Sequence, residues 1–210
     1  MAAVAYTTWE TLEQVQRYAA KRYRSWDQRW LDGKERKLVR GLFQKHHMSG
    51  PILDVPVGYG RFLPLLQEFG PVYAADAGFL PLVYQRERIG LSRGSVNGAA
   101  ERLPFKDRCV QVVFCFRLLQ HMHRAAERVA ILQQLRRVSR KWVIVSVYLN
   151  SSFHRLQRNL FRKPSRITMV ERGQFERDVS QADLAVVEDV PVLRGLHAHH
   201  IYLLSTKQSP

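Results

Sequence analysis

Asp54, Gly58, Gly60 and Asp76 are the residues whose types and spacing point most directly to chemistry. They lie in PILDVPVGYGRFLPLL (51–66) and VYAAD (72–76). An apolar run ends in an acid, two glycines follow, and an apolar helical pattern begins. Glycines carry no Cβ, so a backbone there can turn tightly and approach a ligand closely. Asp76 closes the next apolar run, 22 residues beyond Asp54. A carboxylate at that point can accept both hydroxyls of a ribose. A lone Gly-x-Gly is a weak signal. Set between a β-like and an α-like run, with an acid ending the next strand, it predicts a nucleoside-binding loop. Pro56 stands just before the glycines. A proline at a strand end is tolerated, fixes φ where the chain leaves the sheet, and removes one N–H.

The surrounding pattern must position these residues. Residues 9–45 are helical in character: WETLEQVQRYAAKRYRSW places Leu12, Val15, Ala19 and Tyr23 near one face, and GKERKLVRGLFQKH forms a second helix. Ser49-Gly50-Pro51 breaks that pattern. Strand-like runs then occupy 51–57, 72–77, 93–97, 110–117 and 141–149, with helical patterns at 61–69, 79–88 and 124–139 between most of them. Strand alternating with helix at this spacing predicts a doubly wound, mostly parallel α/β sheet. A short helix over 173–183 and two further strand runs predict an antiparallel pair closing a seven-stranded, Rossmann-like sheet. The expected organisation is one domain: a helical N-terminal extension (1–49), a cofactor-binding core (50–149), a basic insertion (150–172), and a closing helix and strand pair (173–210).

Charge narrows the partners. Thirty-three Lys and Arg stand against 18 acids, a formal +15. Such a chain attracts anionic membrane surfaces, acidic small molecules or nucleic acid. The N-terminus shows no basic start followed by an apolar core, and the longest apolar stretch, WVIVSVYL (142–149), is too short to span a bilayer as a helix. Cys109 and Cys115 read as reduced core residues, which predicts a cytoplasmic protein. His46, His47, His197, His199 and His200 could suggest a metal, but no Cys or acid stands at ligand spacing with them, and no metal site is predicted.

The motifs together resemble the class I S-adenosylmethionine-dependent methyltransferases. ILDVPVGYGRFLPLL resembles that family's first motif, VYAADAGFLPLV its second, and GAAERLPFKDRCVQVVFCFRLLQHM the stretch that includes its fourth strand. The resemblance implies S-adenosyl-L-methionine as cofactor, with contacts from Asp54, Pro56, Gly58, Gly60, Asp76, Ala77, Ala99, Ala100 and Phe116. Pro56 replaces a family glycine. Ala99 stands where an aspartate is common, which removes a hydrogen bond worth about 0.5–1.5 kcal/mol net. Gln111 and Gln120 replace a common aspartate and histidine. The resemblance also implies that the N-terminal helix folds over the cofactor, with Arg22 meeting its methionine carboxylate.

Methyl transfer is an in-line displacement, governed mainly by proximity and orientation. A base is needed only where the nucleophile carries a proton. His121 and His123, beyond the fourth strand, are the candidate bases, with Tyr148 and His154 behind them. In the insertion NSSFHRLQRNLFRKPSR, Phe153, Leu156, Leu160 and Phe161 share a helical face, with His154, Arg155, Arg158, Arg162 and Lys163 around it. That pattern suits an anionic membrane surface or a phosphate. The leading expectation is a methyltransferase acting on an anionic or membrane-associated small molecule or lipid-linked substrate, peripheral to the inner face of a membrane. RNA methylation and a non-catalytic adaptor role are the alternatives.

Overall fold

The computed structural model describes residues 9–150, 168–193 and 198–206. A seven-stranded sheet runs through it in the order β3-β2-β1-β4-β5-β7-β6. The strands are β1 (Ile52–Asp54), β2 (Val72–Asp76), β3 (Gly94–Asn97), β4 (Val110–Cys115), β5 (Ser139–Tyr148), β6 (Leu184–Pro191) and β7 (His199–Thr206). The first five are parallel, and β7 runs antiparallel to both β5 and β6. This is the doubly wound sheet with a closing antiparallel pair that the sequence predicts.

β1 lies inside the sheet, between β2 and β4, and all three of its residues are buried. A strand covered on both faces reads as a continuous apolar run rather than an alternation, which is why ILD shows no period of two. Its alternate side chains serve two cores. On one face Leu53, Val113 and Val145 pack with Ile131, Leu132 and Leu135 of α5 (Ala125–Val138) and with Phe175 and Val179 of α6 (Arg172–Gln181). On the other, Ile52, Val112 and Ile144 meet Val39, Leu42 and Phe43 of α2 (Trp26–Lys45), Leu63, Leu65 and Leu66 of α3 (Leu63–Leu66), and Leu82 of α4 (Phe79–Arg88). Each such side chain, fully buried, contributes about 1.5–3 kcal/mol.

The N-terminal extension forms α1 (Leu12–Arg22) and α2. The Thr11 side chain caps α1 by accepting from the Gln14 N–H at 3.3 Å. α2 starts well before the GKERK run and passes straight through Gly33, because its buried stripe of Glu35, Val39, Leu42 and Phe43 outweighs the cost of one interior glycine. The expected helix over 61–69 shrinks to the single turn of α3, with Pro64 in that turn. The insertion segment 151–167, with the residues assigned to it above, lies outside the described residues, as does His197.

α5 and α6 are locked by a buried ion pair. Arg128 Nε donates to Asp178 Oδ2 at 2.7 Å, Arg128 Nη1 donates to the Met122 carbonyl at 3.2 Å, and Gln174 Nε2 donates to Asp178 Oδ1 at 2.8 Å. Both charged side chains are almost wholly shielded from water. Asp178→Ala leaves a buried guanidinium uncompensated and is expected to lower unfolding free energy by about 3–5 kcal/mol, read by urea denaturation.

Candidate functional site

In an open α/β sheet ligands bind beyond the carboxyl ends of the strands, where the strand order reverses. Here the reversal falls between β1 and β4. Asp54 ends β1, Asp76 ends β2, and Phe116 and Arg117 follow β4. The Val55–Pro56 peptide is cis, and the next N–H, of Val57, donates to the Ala75 carbonyl at 2.9 Å, tying the loop to β2. Gly58 has φ +54° and Gly60 φ +82°, the left-handed region that favours glycine.

Asp76 organises this loop. Its Oδ2 accepts from the Gly58 N–H and its Oδ1 from the Gly78 N–H, both at 2.8 Å. Burial raises its pKa, and the bonds from Gly78 and Gly58 oppose that rise. Asp54 is pushed well above the usual carboxylate range by burial and by the neighbouring Asp76, with Arg61 opposing. A cation brought beside these two acids would favour their charged forms.

A cavity of about 270 Å³ opens at this point. Trp9, Tyr18, Arg22 and Tyr23 of the N-terminal extension form one wall, and Asp54, Pro56, Gly58, Asp76, Phe116, Arg117 and His121 contribute to the rest. Trp9 and Tyr18 have ring centroids 5.0 Å apart, and Tyr18 meets Tyr59 edge-on at 5.9 Å. α1 is thus tied by aromatic contacts to the glycine loop, as a cover over it. The Tyr59 hydroxyl is buried and has no hydrogen-bond partner among the described residues.

Beside the cavity lies a buried charge cluster. Glu35 is fully shielded from water. Its Oε2 accepts from Arg61 Nη1 at 2.7 Å and its Oε1 from Arg117 Nη2 at 2.6 Å, while His199 Nδ1 stands 3.1 Å from Oε1. Arg61 Nη1 also donates to Tyr23 Oη at 2.6 Å and Asp32 Oδ1 at 2.7 Å, and its guanidinium lies 4.1 Å from the Phe62 ring centre. Burial alone would raise the Glu35 carboxyl. The hydrogen bond from His199 and the charges of Arg61 and Arg117 more than offset it and hold Glu35 well below its ordinary value. Arg117 adopts φ +62°, and its N–H donates to Ser146 Oγ at 2.7 Å. This conformation is uncommon for a residue with a Cβ, and here it falls at the cavity wall.

The structure brings Asp54, Pro56, Gly58, Asp76, Phe116, Arg22 and His121 into the cavity wall. Gly60 is not in that wall. A Cβ there would meet Leu63 Cδ1 at 3.0 Å and Gln85 Cβ at 3.2 Å, so this glycine admits α3 and α4 rather than a ligand. Ala77, Ala99 and Ala100 do not line the cavity either. Ala77 is held near β3 through its carbonyl, which accepts from Asn97 Nδ2 at 2.9 Å, and Ala100 is buried in the apolar core. His123 also stands apart, with Nδ1 2.7 Å from Thr168 Oγ1. Tyr148 stacks on His199 with ring centres 4.7 Å apart. Of the four described histidines named for a metal, three stand beside a carboxylate: His46 lies 2.8 Å from Glu188, His199 lies beside Glu35, and His200 is 2.6 Å from Asp189. The residues that sequence reasoning missed are Glu35, Arg61 and Arg117. Arg61 follows the glycine loop directly and Arg117 follows β4 directly, which was the available signal.

The model of the methyltransferase-domain family matches residues 53–145, the span from β1 into β5. Magnesium protoporphyrin IX methyltransferase from Synechocystis PCC 6803, solved with bound S-adenosylhomocysteine, superposes with a TM-score of 0.74 at 12% identity, over 93% of this chain and 94% of that one. Residues 53–145 thus match a methyltransferase domain, and the sheet around them has the fold of S-adenosylmethionine-dependent methyltransferases. An S-adenosylmethionine-dependent methyltransferase from Clostridium acetobutylicum gives 0.69 at 10% identity, covering 84% and 92%. A further one from Aquifex aeolicus gives 0.62 at 16%, covering 94% and 99%. No curated protein matches the chain by sequence.

The residues present fit S-adenosyl-L-methionine. A Cβ on Gly58 would meet nothing within 4 Å, so the loop leaves room at the cavity wall, beside two carboxylates at strand ends. Asp54, Asp76, Gly58 and Phe116 would hold the cofactor, which when bound supplies a methyl group activated by its sulfonium. The two glycines should then separate on substitution. Gly58→Ala is expected to weaken cofactor binding about tenfold or more by calorimetry, with a stability cost of about 1–2 kcal/mol from its left-handed backbone. Gly60→Ala is expected to reduce the melting temperature more than Gly58→Ala does, because it also crowds Leu63 and Gln85.

The depressed Glu35 pKa sets a pH window. Its stabilisation is complete above the ordinary value of 4.5 and is lost as pH falls through the lower folded-state value. Glu35→Gln is expected to remove about 3–5 kcal/mol at neutral pH and to flatten the acid limb of the stability profile measured by denaturant titration.

Proposed function

We propose that this methyltransferase acts on an anionic small molecule or a lipid-linked anionic intermediate. The supporting observation is Arg117. Arg117 and His121 both line the cavity, and Arg117 shares the buried carboxylate of Glu35 with Arg61 and His199. Its Nε is buried without a hydrogen-bond partner among the described residues. An acceptor carrying a carboxylate or phosphate would complete its pairing. Arg22 is also in the wall, and no carboxylate among the described residues pairs with it. It is the group we assign to the cofactor's own carboxylate.

His121 is the candidate base for an acceptor that carries a proton. Burial lowers its pKa from 6.5, and the charges of His123 and Arg117 lower it further. The imidazole is therefore neutral near pH 7 and able to accept a proton. An acceptor already ionised at its nucleophilic atom needs no such help.

Transfer of labelled methyl from S-adenosylmethionine to fractionated acceptors tests the reading. Label is expected in an anionic small-molecule or lipid-extractable fraction, and label confined to RNA would overturn it. With the acceptor in hand, Arg117→Lys keeps a charge beside Glu35 and is expected to raise the acceptor KM about tenfold while leaving cofactor affinity unchanged. His121→Gln is expected to lower kcat by about 10²–10⁴ for a protonated acceptor and to abolish the fall in rate as pH drops below the lowered His121 pKa. Unchanged kcat and pH profile with such an acceptor would remove His121 from the chemistry.

A further inference from the structure

Helix α2 has two unlike faces. One carries Leu31, Glu35, Leu38, Val39, Leu42 and Phe43 into the core. The other carries Trp26 and Trp30, four residues apart and therefore neighbours on the helix surface. Trp26 is 76% exposed and Trp30 53% exposed. An indole is a large apolar body with one N–H, and leaving two of them side by side in water is costly unless a partner covers them.

The charges around the pair indicate the partner. Arg24, Arg29 and Lys37 are exposed on or beside the same face, against one exposed acid, Asp27. Gly33 falls between Trp30 and Lys37 on this face, and a Cβ there would meet nothing within 4 Å, so no side chain screens the strip. The wider distribution agrees. Leu12 and Tyr18 of α1 are also exposed, as is Phe79 at the start of α4, the helix on which α1 packs. Exposed large apolar groups are therefore concentrated around the N-terminal cover. No helix among the described residues is long and apolar enough to cross a membrane.

We infer that the Trp26–Trp30 face of α2 docks on an anionic lipid bilayer. Tryptophan rings seat at the level of lipid headgroups, and flanking arginines and lysines meet anionic phosphates. The chain's formal +15 favours the encounter. Docking would also reach the site. Tyr23 lies three residues before Trp26 and Asp32 two residues after Trp30, and both bond Arg61 in the cavity wall. The inference rests on the proposed lipid-linked acceptor only for its purpose. Its test reads binding without turnover, so its failure would leave the methyl-transfer reading intact.

The full chain is mixed with vesicles of phosphatidylcholine containing phosphatidylglycerol, or of phosphatidylcholine alone, and binding is followed by sedimentation and by quenching of tryptophan fluorescence with brominated lipid. Binding is expected to the anionic vesicles only and to weaken as salt rises. The double variant Trp26→Ser/Trp30→Ser should lose about tenfold or more in partitioning and most of the lipid quenching, with its melting temperature held. Arg24→Ser/Arg29→Ser should keep the fold and lose much of the salt-dependent part. Wild-type binding that ignores lipid charge overturns the proposal. So does a tryptophan double variant that binds as well as wild type, since another segment would then carry the contact. A dimer in solution that this variant dissociates would instead assign the face to a second copy.

Discussion

Glu35 is the carboxylate on which the arrangement of the site depends. It sits without solvent among Arg61, Arg117 and His199. These four residues belong to α2, the glycine loop, the end of β4 and the start of β7. Removing an ion from water costs several kcal/mol, and only close pairing with further hydrogen bonds offsets it. Here two charged bonds shorter than 3 Å do so, and the consequence is positional. The N-terminal extension is fastened to the cofactor loop, and Arg117 is held in a left-handed backbone conformation beside the cavity. Neutralising Glu35 would leave two guanidinium groups facing each other in a dry interior.

From that tie the division of labour follows. The glycine loop is shaped from β2 by Asp76, which accepts two backbone N–H groups, and from α2 by Glu35, which pairs with Arg61. α1 closes the aromatic side through Trp9, Tyr18 and Tyr59. Arg117 and His121, after β4, lie in the wall of the same cavity. The rigid sheet thus carries the carboxylates and the glycine loop, while loops and the extension complete the cavity wall.

Much of this was legible in the sequence, because local patterns carry it. The acids at the ends of β1 and β2, the glycine spacing and the alternation of strand and helix are all local, and they led to the doubly wound sheet and a nucleoside-binding loop, while the family resemblance of the same motifs led to the cofactor. Glu35 was not legible. It lies within GKERK, which reads as a solvated helix face, and its partners are 26 and 82 residues away. Arg128 and Asp178 escaped notice for the same reason, being 50 residues apart. Gly60 looked like a ligand contact, because a positive φ and a close approach have the same sequence signature whether the neighbour is a cofactor or a leucine. The extent of α2 was hidden by Gly33, whose propensity cost is outweighed by packing of the opposite face.

Asp54, Gly58 and Asp76, backed by the Glu35 cluster, are the residues that would hold S-adenosylmethionine. Calorimetric titration of the full chain with S-adenosylmethionine and S-adenosylhomocysteine, beside Asp76→Ala, tests this most directly. One-to-one binding of both ligands is expected, with a loss of roughly 1.5–3 kcal/mol in the variant, the range for hydrogen bonds to a charged group. Absence of heat and of any thermal shift at millimolar ligand, in a folded wild-type chain, would contradict it.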